Sequence, residues 1–292
     1  MLALGGKRLR PVLVLMATDM FDGDINKAIH AALAVEVFHN FTLVHDDIMD
    51  KADLRRGMLT VHKKWDETIA ILSGDLMMIK AIDLLCETPT SHLKHLIQQF
   101  NKSAAEVCEG QQWDMNYESV KEISEQDYIT MITLKTAVLL GCSLKLGAII
   151  ANANTEDAEN IYAFGKNIGI AFQIQDDILD SFGQSTKVGK KIGGDILANK
   201  KTILLITAMA SVDKNDEQIL NKWLASNDPN KANEKVNEVL NLYKKYNVLQ
   251  HAESVKEKYL RLAFEHLNKL TIQPERTTVV KQTALELMDR MS

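Results

Sequence analysis

Apolar residues recur along this chain every three to four positions and almost nowhere at every second one. That spacing puts them on one side of an α-helix, not on one face of a strand. Pro11 suits the first position of a helix over 11–20. Asp24 suits the cap of a longer helix over 25–45, where Ala32, Val35, Phe38, Phe41, Leu43 and Val44 carry the period. A loop to Thr60 and a short helix through Trp65 follow. Ser73-Gly74-Asp75 leads into a strongly helical 76–85, with Pro89 as its stop. Residues 92–113, 125–151 and 156–180 read as further helices, and Gly141 and Gly147 in the second invite close packing or a kink. Residues 183–201 interrupt the pattern with glycine and lysine. Beyond Thr202 the chain is plain helix again, broken near Asp213, Asn227-Asp228-Pro229, Asn247 and Pro274. Strand patterns, linkers, low-complexity tracts and repeat periods are absent from the sequence. The spacing therefore predicts an all-α fold, a single domain over 1–292, with long helices in a bundle around a central cavity.

Two acidic clusters break the apolar pattern. Asp46, Asp47 and Asp50 stand at the end of the predicted 25–45 helix, at i, i+1 and i+4. On a helix Asp46 and Asp50 lie one turn apart on one face. Their charges repel, and a helix C-terminus already carries partial negative charge. The cluster makes sense if a hard divalent cation sits between the carboxylates. Arg55 and Arg56 follow at once, and arginine forks match diphosphate oxygens bidentately. A lone DDxxD is weak, because Asp-Asp pairs are common on solvated helix ends. Here the pattern returns as Gln173-Ile-Gln-Asp176-Asp177-Ile-Leu-Asp180, again after an apolar helical run.

The turn Gly5-Gly6-Lys7-Arg8-Leu9-Arg10-Pro11 adds Lys7 and Arg10 just before a helix N-terminus, which itself favours anions. Taken alone, that turn reads as a solvated basic end. Residues 183–201, with Lys190 and Lys200, read as a flexible lid whose ammonium groups meet phosphate. Met77 and Met78 read most simply as core, with the floor of an apolar pocket as the sharper alternative.

Composition narrows the setting. The chain has 292 residues, 46% of them hydrophobic and 6% aromatic, ample for a helical core. A formal charge of −5 argues against nucleic acid or an acidic membrane surface as partner. Cys86, Cys108 and Cys142 form no CxxC and read as thiols of a reducing compartment. No signal peptide opens the sequence, and no apolar run reaches membrane-spanning length. The expectation is a soluble cytoplasmic protein without stable membrane insertion.

Taken together the motifs resemble the trans-type isoprenyl diphosphate synthases, the polyprenyl synthetase family. They are Gly-Gly-Lys-Arg-Leu-Arg-Pro at 5–11, Asp-Asp-Ile-Met-Asp with Arg-Arg-Gly within 46–57, Gly-Gln-x-x-Asp at 110–114, Lys-Thr at 135–136, and Phe-Gln-Ile-Gln-Asp-Asp-Ile-Leu-Asp at 172–180. The resemblance implies an enzyme that joins isopentenyl diphosphate to an allylic diphosphate (dimethylallyl, geranyl or farnesyl) and releases diphosphate. It implies three Mg²⁺ per active site. Asp46 and Asp50, with Asp47 supporting, would hold two of them, and Asp176 the third, with Asp177 and Asp180 in its water shell. Arg55, Lys135, Lys190 and Lys200 would bind the allylic diphosphate. Lys7, Arg10, His39 and Arg56 would bind isopentenyl diphosphate. Thr136 and Gln173 would face the developing carbocation, with Gln111 and Asp114 behind the substrate-binding residues. A homodimer is implied as well. Members of this family usually carry a helix or two before the Gly-Gly-Lys turn, and this sequence has four residues there.

Three other readings compete. A class I terpene cyclase shares the fold and metal chemistry but has no need of Lys7, Arg10 and His39. A metal-dependent phosphohydrolase is suggested by His45-Asp46 near His39, yet wants more histidines than the eight scattered here. A non-catalytic subunit of a heteromeric prenyl synthase typically loses its acidic clusters, and both are intact here.

Product length is the finest expectation. The growing chain would run from the metals back along the helix towards its N-terminus. Phe41 lies five residues before Asp46, about 7.5 Å along the axis, with Thr42 leaving room beside it. Phe38, Phe41 and His45 fall nearly on one line. A lone aromatic at that position resembles a geranylgeranyl (C20) pattern. Farnesyl (C15) is the runner-up, because Met77 and Met78 on the facing helix could raise the floor. Phe41 as ordinary core is the plain alternative.

Overall fold

The computed structural model describes residues 2, 5–88, 90–183, 193–226 and 228–289. In chain order the helices are α1 (Leu9–Met20), α2 (Ile25–Met49), α3 (Val61–Lys64), α4 (Glu67–Cys86), α5 (Thr90–Ser119), α6 (Glu125–Ile132), α7 (Val138–Ile150), α8 (Thr155–Phe182), α9 (Gly194–Leu197), α10 (Ile203–Ser211), α11 (Lys214–Leu224), α12 (Ala232–Lys245), α13 (Val248–Leu267) and α14 (Thr278–Asp289). The fold is all-α. Its capping residues are local and legible. Asp24 accepts from the Asn26 amide at 3.0 Å, Asp66 from the Ile69 amide at 2.7 Å, and Ser124 with Asp127 closes a capping box on α6.

Two features depart from the expectation. Between α2 and α3 a minimal antiparallel hairpin, β1 (Leu54–Arg55) and β2 (Met58–Leu59), pairs Leu54 with Leu59 and Arg55 with Met58. Its turn puts Arg56 at φ 54° and Gly57 at φ 76°, the left-handed pair that suits the twist of a two-residue hairpin. Strands of two residues are too short to write an alternating pattern. The apolar content of 125–150 is the second departure. By length and composition the helical stretch Glu125–Ile150 could cross a membrane, but 67% of its apolar window is buried inside the protein. Counting uninterrupted apolar residues missed it, because polar Thr133, Lys135 and Thr136 divide the run.

Contacts gather the chain into two compact units. The first comprises Met1–Ala105, Leu139–Gly165 and His266–Val280; the second comprises Glu106–Val138, Lys166–Glu265 and Lys281–Ser292. In the first, α1 and α4 both pack on α2, whose buried residues are mostly small ahead of Phe38: Ala28, Ala31, Ala32, Ala34 and Val35. Small residues let helix axes approach closely. Gly147 on α7 does the same against α1, where an added Cβ would lie 2.2 Å from the Val14 carbonyl oxygen.

In the second unit a core of Tyr128, Ile132, Ile174, Ile178, Trp223 and Tyr243 surrounds one irregular turn. Residues Thr133–Ala137, between α6 and α7, form a π-helical turn. Such turns are rare, marginal on their own, and frequent at functional sites. Close backbone contact braces this one from two sides. A Cβ on Gly110 of α5 would lie 2.2 Å from the Lys135 amide nitrogen, and one on Gly169 of α8 would lie 2.6 Å from the Ala137 Cα. The turn carries Lys135 and Thr136.

Candidate active site

The first acidic cluster occupies the last turn of α2. Asp46 is half-buried, Asp50 is exposed at the C-cap, and Asp47 is turned into the protein with 1% of its surface accessible. A helix advances about 100° per residue, so Asp46 and Asp50 share one face and Asp47 cannot join them. Asp47 is instead held by Arg55 on β1, whose Nε donates to Oδ1 at 2.6 Å, while Arg55 Nη2 donates to Asp46 Oδ2 at 3.1 Å. Burial raises the Asp47 pKa, against the lowering effect of the Arg55 hydrogen bond. Asp47 Oδ2 and both ring nitrogens of His62 on α3 are buried with no protein partner, a pattern that calls for ordered water or ligand.

The hairpin turn sends the next arginine to a different group. The Arg56 guanidinium lies over Gly6, where an added Cβ would come within 2.8 Å of its Nη1. Arg10 Nη1 lies 3.1 Å from His39 Nε2. A guanidinium can only donate, so Nε2 accepts and the imidazole proton sits on Nδ1. Burial first, then the charges of Arg10, Arg56, Arg55 and Arg8, lower the His39 pKa from 6.5 to about 2, which keeps the ring neutral. Burial also lowers Arg10, to about 10, with Glu36 opposing it. Arg10, His39 and Arg56 thus lie about the turn that carries exposed Lys7.

Along α2 above the cluster, Phe38, Phe41 and His45 form the expected column. Ring centroids are 5.5 Å apart for Phe38–Phe41 and 4.7 Å for Phe41–His45. Phe38 is fully buried against Phe100 at 5.2 Å, whereas Phe41 is half-buried. Thr42 donates to the His39 carbonyl at 2.8 Å, and Met77 and Met78 of α4 are half-buried.

The second cluster repeats the logic of the first on α8. Asp176 and Asp180 are half-buried and Asp177 is buried. Asp177 accepts from Tyr128 Oη at 2.6 Å and from Gln173 Nε2 at 3.1 Å, and Gln173 Oε1 accepts from Thr136 Oγ1 at 3.2 Å. Asp180 accepts the Asp195 amide at 2.8 Å, at the start of α9. Lys135 Nζ pairs with Asp114 at 2.5 Å. Asp114, Lys135, Thr136, Gln173, Asp177 and Lys200 line one small cavity of about 30 Å³. Burial alone would lower the Lys200 pKa, but Asp195, Asp177, Asp114 and Asp176 overcome it and hold the ammonium charged. Gln111 Nε2 is buried without a partner. Lys190 lies outside the described residues. Sequence reasoning passed over Tyr128 and His62 entirely. Tyr128 reads as one more apolar helix position, and only its partner across 49 residues reveals a role.

The donor set fits magnesium. Among the described residues no three His, Cys, Asp or Glu side chains converge to enclose an ion. Each cluster instead has two carboxylates that keep some solvent exposure, while the inward one is held by protein hydrogen bonds, Asp47 through Oδ1 to Arg55 and Asp177 to Tyr128 and Gln173. Mg²⁺ is commonly held by one or two carboxylates, with water and substrate phosphate completing the shell.

The Asp177 carboxyl carries a testable consequence. Burial, partly offset by Lys200, Tyr128 and Gln173, raises its pKa from 3.8 to about 7. The folded protein then binds a proton between those values that the unfolded chain does not, so this group's stabilising contribution is full below pH 4 and is lost as pH rises to about 7. Asp177→Asn removes that dependence. In metal-free protein the stability of the variant relative to the parent should rise across that window, by on the order of 4 kcal/mol at most. Thermal melts of both proteins from pH 4 to 8 check it; a constant gap would refute the assignment.

The Polyprenyl synthetase family profile matches residues 1–243. The geranylgeranyl diphosphate synthase of Saccharolobus solfataricus is 41% identical over 277 residues, covering 92% of this chain and 81% of that protein. A crystal structure of geranylgeranyl pyrophosphate synthase matches with a TM-score of 0.94 at 43% identity, covering 100% of this chain and 90% of that one. The geranylgeranyl pyrophosphate synthase of Corynebacterium glutamicum, solved with isoprenyl diphosphate and magnesium, matches with a TM-score of 0.88 at 25% identity, covering 99% and 88%. With the profile and a relative each matching well over half of its length, the chain belongs to the polyprenyl synthetase family.

Proposed function

We propose that this protein is a trans-prenyltransferase that joins isopentenyl diphosphate to an allylic diphosphate and releases diphosphate, with an all-trans C15–C20 product. One observation carries the reading. Arg55 and Arg56 are chain neighbours, yet Arg55 serves the carboxylates of α2 while Arg56 serves a separate group with Gly6 and the Arg10–His39 pair. A carboxylate site suits a metal-bound diphosphate, and a group of arginines with a neutral histidine suits a second diphosphate without metal. A terpene cyclase or a phosphohydrolase has one such substrate and no use for the second group.

Residue roles follow from that division. Asp46 and Asp50 would hold Mg²⁺ on the allylic diphosphate, with Asp47 fixing Arg55. Asp176 would hold a third ion, with Asp180 near it and Asp177 fixing Gln173. Bound Mg²⁺ supplies Lewis-acid stabilisation of the negative charge that develops on the leaving diphosphate. Arg55, Lys135, Lys190 and Lys200 would add fixed positive charge on the same oxygens. The allylic carbon–oxygen bond breaks, and Thr136 and Gln173 oxygens would face the cation that forms. The isopentenyl double bond, held through Lys7, Arg10, His39 and Arg56, attacks that cation. The proton then lost goes to the departed diphosphate, so no protein nucleophile is required. Apolar walls keep out water that would quench the cation. The chain acts as one catalytic domain in the cytoplasm.

Asp46→Ala and Asp176→Ala should each lower turnover by orders of magnitude while the far-ultraviolet circular dichroism stays helical. Near-parental turnover in either variant, or full activity in excess EDTA, would sink the reading.

For product length we propose Phe41 as the floor of the prenyl pocket and a C20 product. The half-buried Phe41, stacked between fully buried Phe38 and His45, supports this. Phe41→Ala should move the products to longer chains at similar total turnover, read by chromatography of the dephosphorylated alcohols. An unchanged distribution would move the floor to Phe38 or to Met77 and Met78.

We also propose a homodimer. Leu72, Leu76 and Ile79 on α4 are 62%, 55% and 57% exposed at helical spacing, and Leu33 and Ile29 of α2 add 46% and 41%. Patches of this kind mark protein interfaces. Light scattering should give twice the mass of one 292-residue chain at micromolar concentration, and a monomer would remove the proposal.

A further inference from the structure

The basic turn 5–11 holds three cations, and they do not behave alike. Arg8 stands between Lys7 and Arg10 in sequence but is aimed elsewhere. It occupies the N-cap position of α1 with φ 47° and ψ 34°, a left-handed conformation that non-glycine residues adopt only where their surroundings enforce it. Its guanidinium donates to Glu36 Oε1 on α2 and to the Leu2 carbonyl. Glu36 is 8% exposed in the middle of an apolar helix face, where a carboxylate is costly unless paired. It is fixed from a second side by Asn40, which is fully buried and donates from Nδ2 to Glu36 Oε1 at 3.0 Å and to the Glu36 carbonyl at 2.8 Å. One turn of α2 therefore carries, within four residues, a braced carboxylate, the imidazole that meets Arg10 and the amide that braces the carboxylate.

The other face of the same basic turn lies under Arg56, through the close approach at Gly6. So the turn is clamped to α2 by Arg8 and capped by Arg56 at Gly6, with Lys7 between those two anchor points and Arg10 two residues beyond Arg8. Gathering Lys7, Arg8, Arg10 and Arg56 into one place is repulsive before any anion arrives. One internal carboxylate that engages one of the four lowers that repulsion. Burial lowers the Arg10 pKa, and Glu36 is the carboxylate that opposes the shift and keeps Arg10 charged.

We propose that Glu36 is a positioning residue for the isopentenyl diphosphate site: it takes Arg8 out of the substrate-binding set, as a clamp on α2, and thereby sets Lys7 and Arg10 for the diphosphate. The proposal rests on the reading of Lys7, Arg10, His39 and Arg56 as that site, and it adds Glu36, outside every motif, and Arg8, within the 5–11 motif but so far without a role. Neither Glu36 nor Arg8 touches the substrate.

The test compares Glu36→Gln, Arg8→Met and the double variant, with steady-state kinetics for each substrate and calorimetric binding of isopentenyl diphosphate. Each single change should raise the KM and Kd for isopentenyl diphosphate about tenfold or more, and leave the allylic KM and kcat within about threefold. The double variant should be no worse than the worse single, because two members of one clamp are lost only once. A purely structural defect would lower kcat or raise both KM values together, and that outcome would overturn the proposal. Additive losses in the double variant would also overturn it, since they would make Arg8 a direct diphosphate ligand. A Glu36→Gln variant that binds isopentenyl diphosphate more tightly would reduce Glu36 to a repelling charge and overturn it equally. If a variant is too unstable for kinetics, the thermal shift produced by isopentenyl diphosphate in that variant reads the same Kd change. Parent protein that neither binds nor turns over isopentenyl diphosphate would defeat the functional reading itself, whereas a competent parent with unchanged variants would defeat only this inference.

Discussion

A carboxylate taken out of water must find a partner, and this requirement organises both chemical regions of the protein. Three buried carboxylates lie in the two acidic clusters or against the basic turn. Asp47 has Arg55, Asp177 has Tyr128 and Gln173, and Glu36 has Arg8 and Asn40. In each case at least one partner is a residue of the proposed site, or stands within one position of one in the chain: Arg55, Gln173, and Arg8 and Asn40 beside Lys7 and His39. Satisfying the buried group therefore fixes the orientation of a working one. Arg55 is held at the carboxylates, Gln173 is held beside Thr136, and the turn bearing Lys7 and Arg10 is held to α2.

The same requirement explains why an Asp-Asp pair serves where one aspartate would not. Adjacent helix positions point about 100° apart. One carboxylate of each pair turns inward and ties the helix to its surroundings, and the other stays at the surface with a companion one turn on. Asp46 with Asp50, and Asp176 with Asp180, keep partial exposure, the disposition that the proposed Mg²⁺ role needs, since Mg²⁺ takes its remaining ligands from water and phosphate. Local backbone irregularity is spent in the same places. The π-helical turn at Thr133–Ala137 and the left-handed pair Arg56–Gly57 carry or adjoin Lys135, Thr136, Arg55 and Arg56 of the proposed site.

Much of the architecture was legible in order along the chain. The helical period gave α2 and α8, and Asp24 marked a real helix start, because capping and periodicity act over a few residues; α1 instead starts at Leu9, two residues before Pro11, and α4 at Glu67, nine before the predicted 76. Ends were read short: α2 runs on to Met49 and α5 to Ser119, since polar surface positions do not stop a helix that is packed on one side. The hairpin at 54–59 left no pattern because two-residue strands have none to leave.

What the sequence determined by itself was the helical class, the two acidic clusters, the basic turn and the family they resemble, since these reside in residue type and short spacing. Which aspartate of each pair turns inward, that Arg55 and Arg56 part company, and that Tyr128, Asn40 and Glu36 brace the site were decided only by tertiary structure. Tyr128 meets Asp177 across 49 residues, and Arg8 meets Glu36 across 28. Such pairs are set by how helices pack and by which buried charge most needs a partner, and neither quantity is written in any local stretch of the chain.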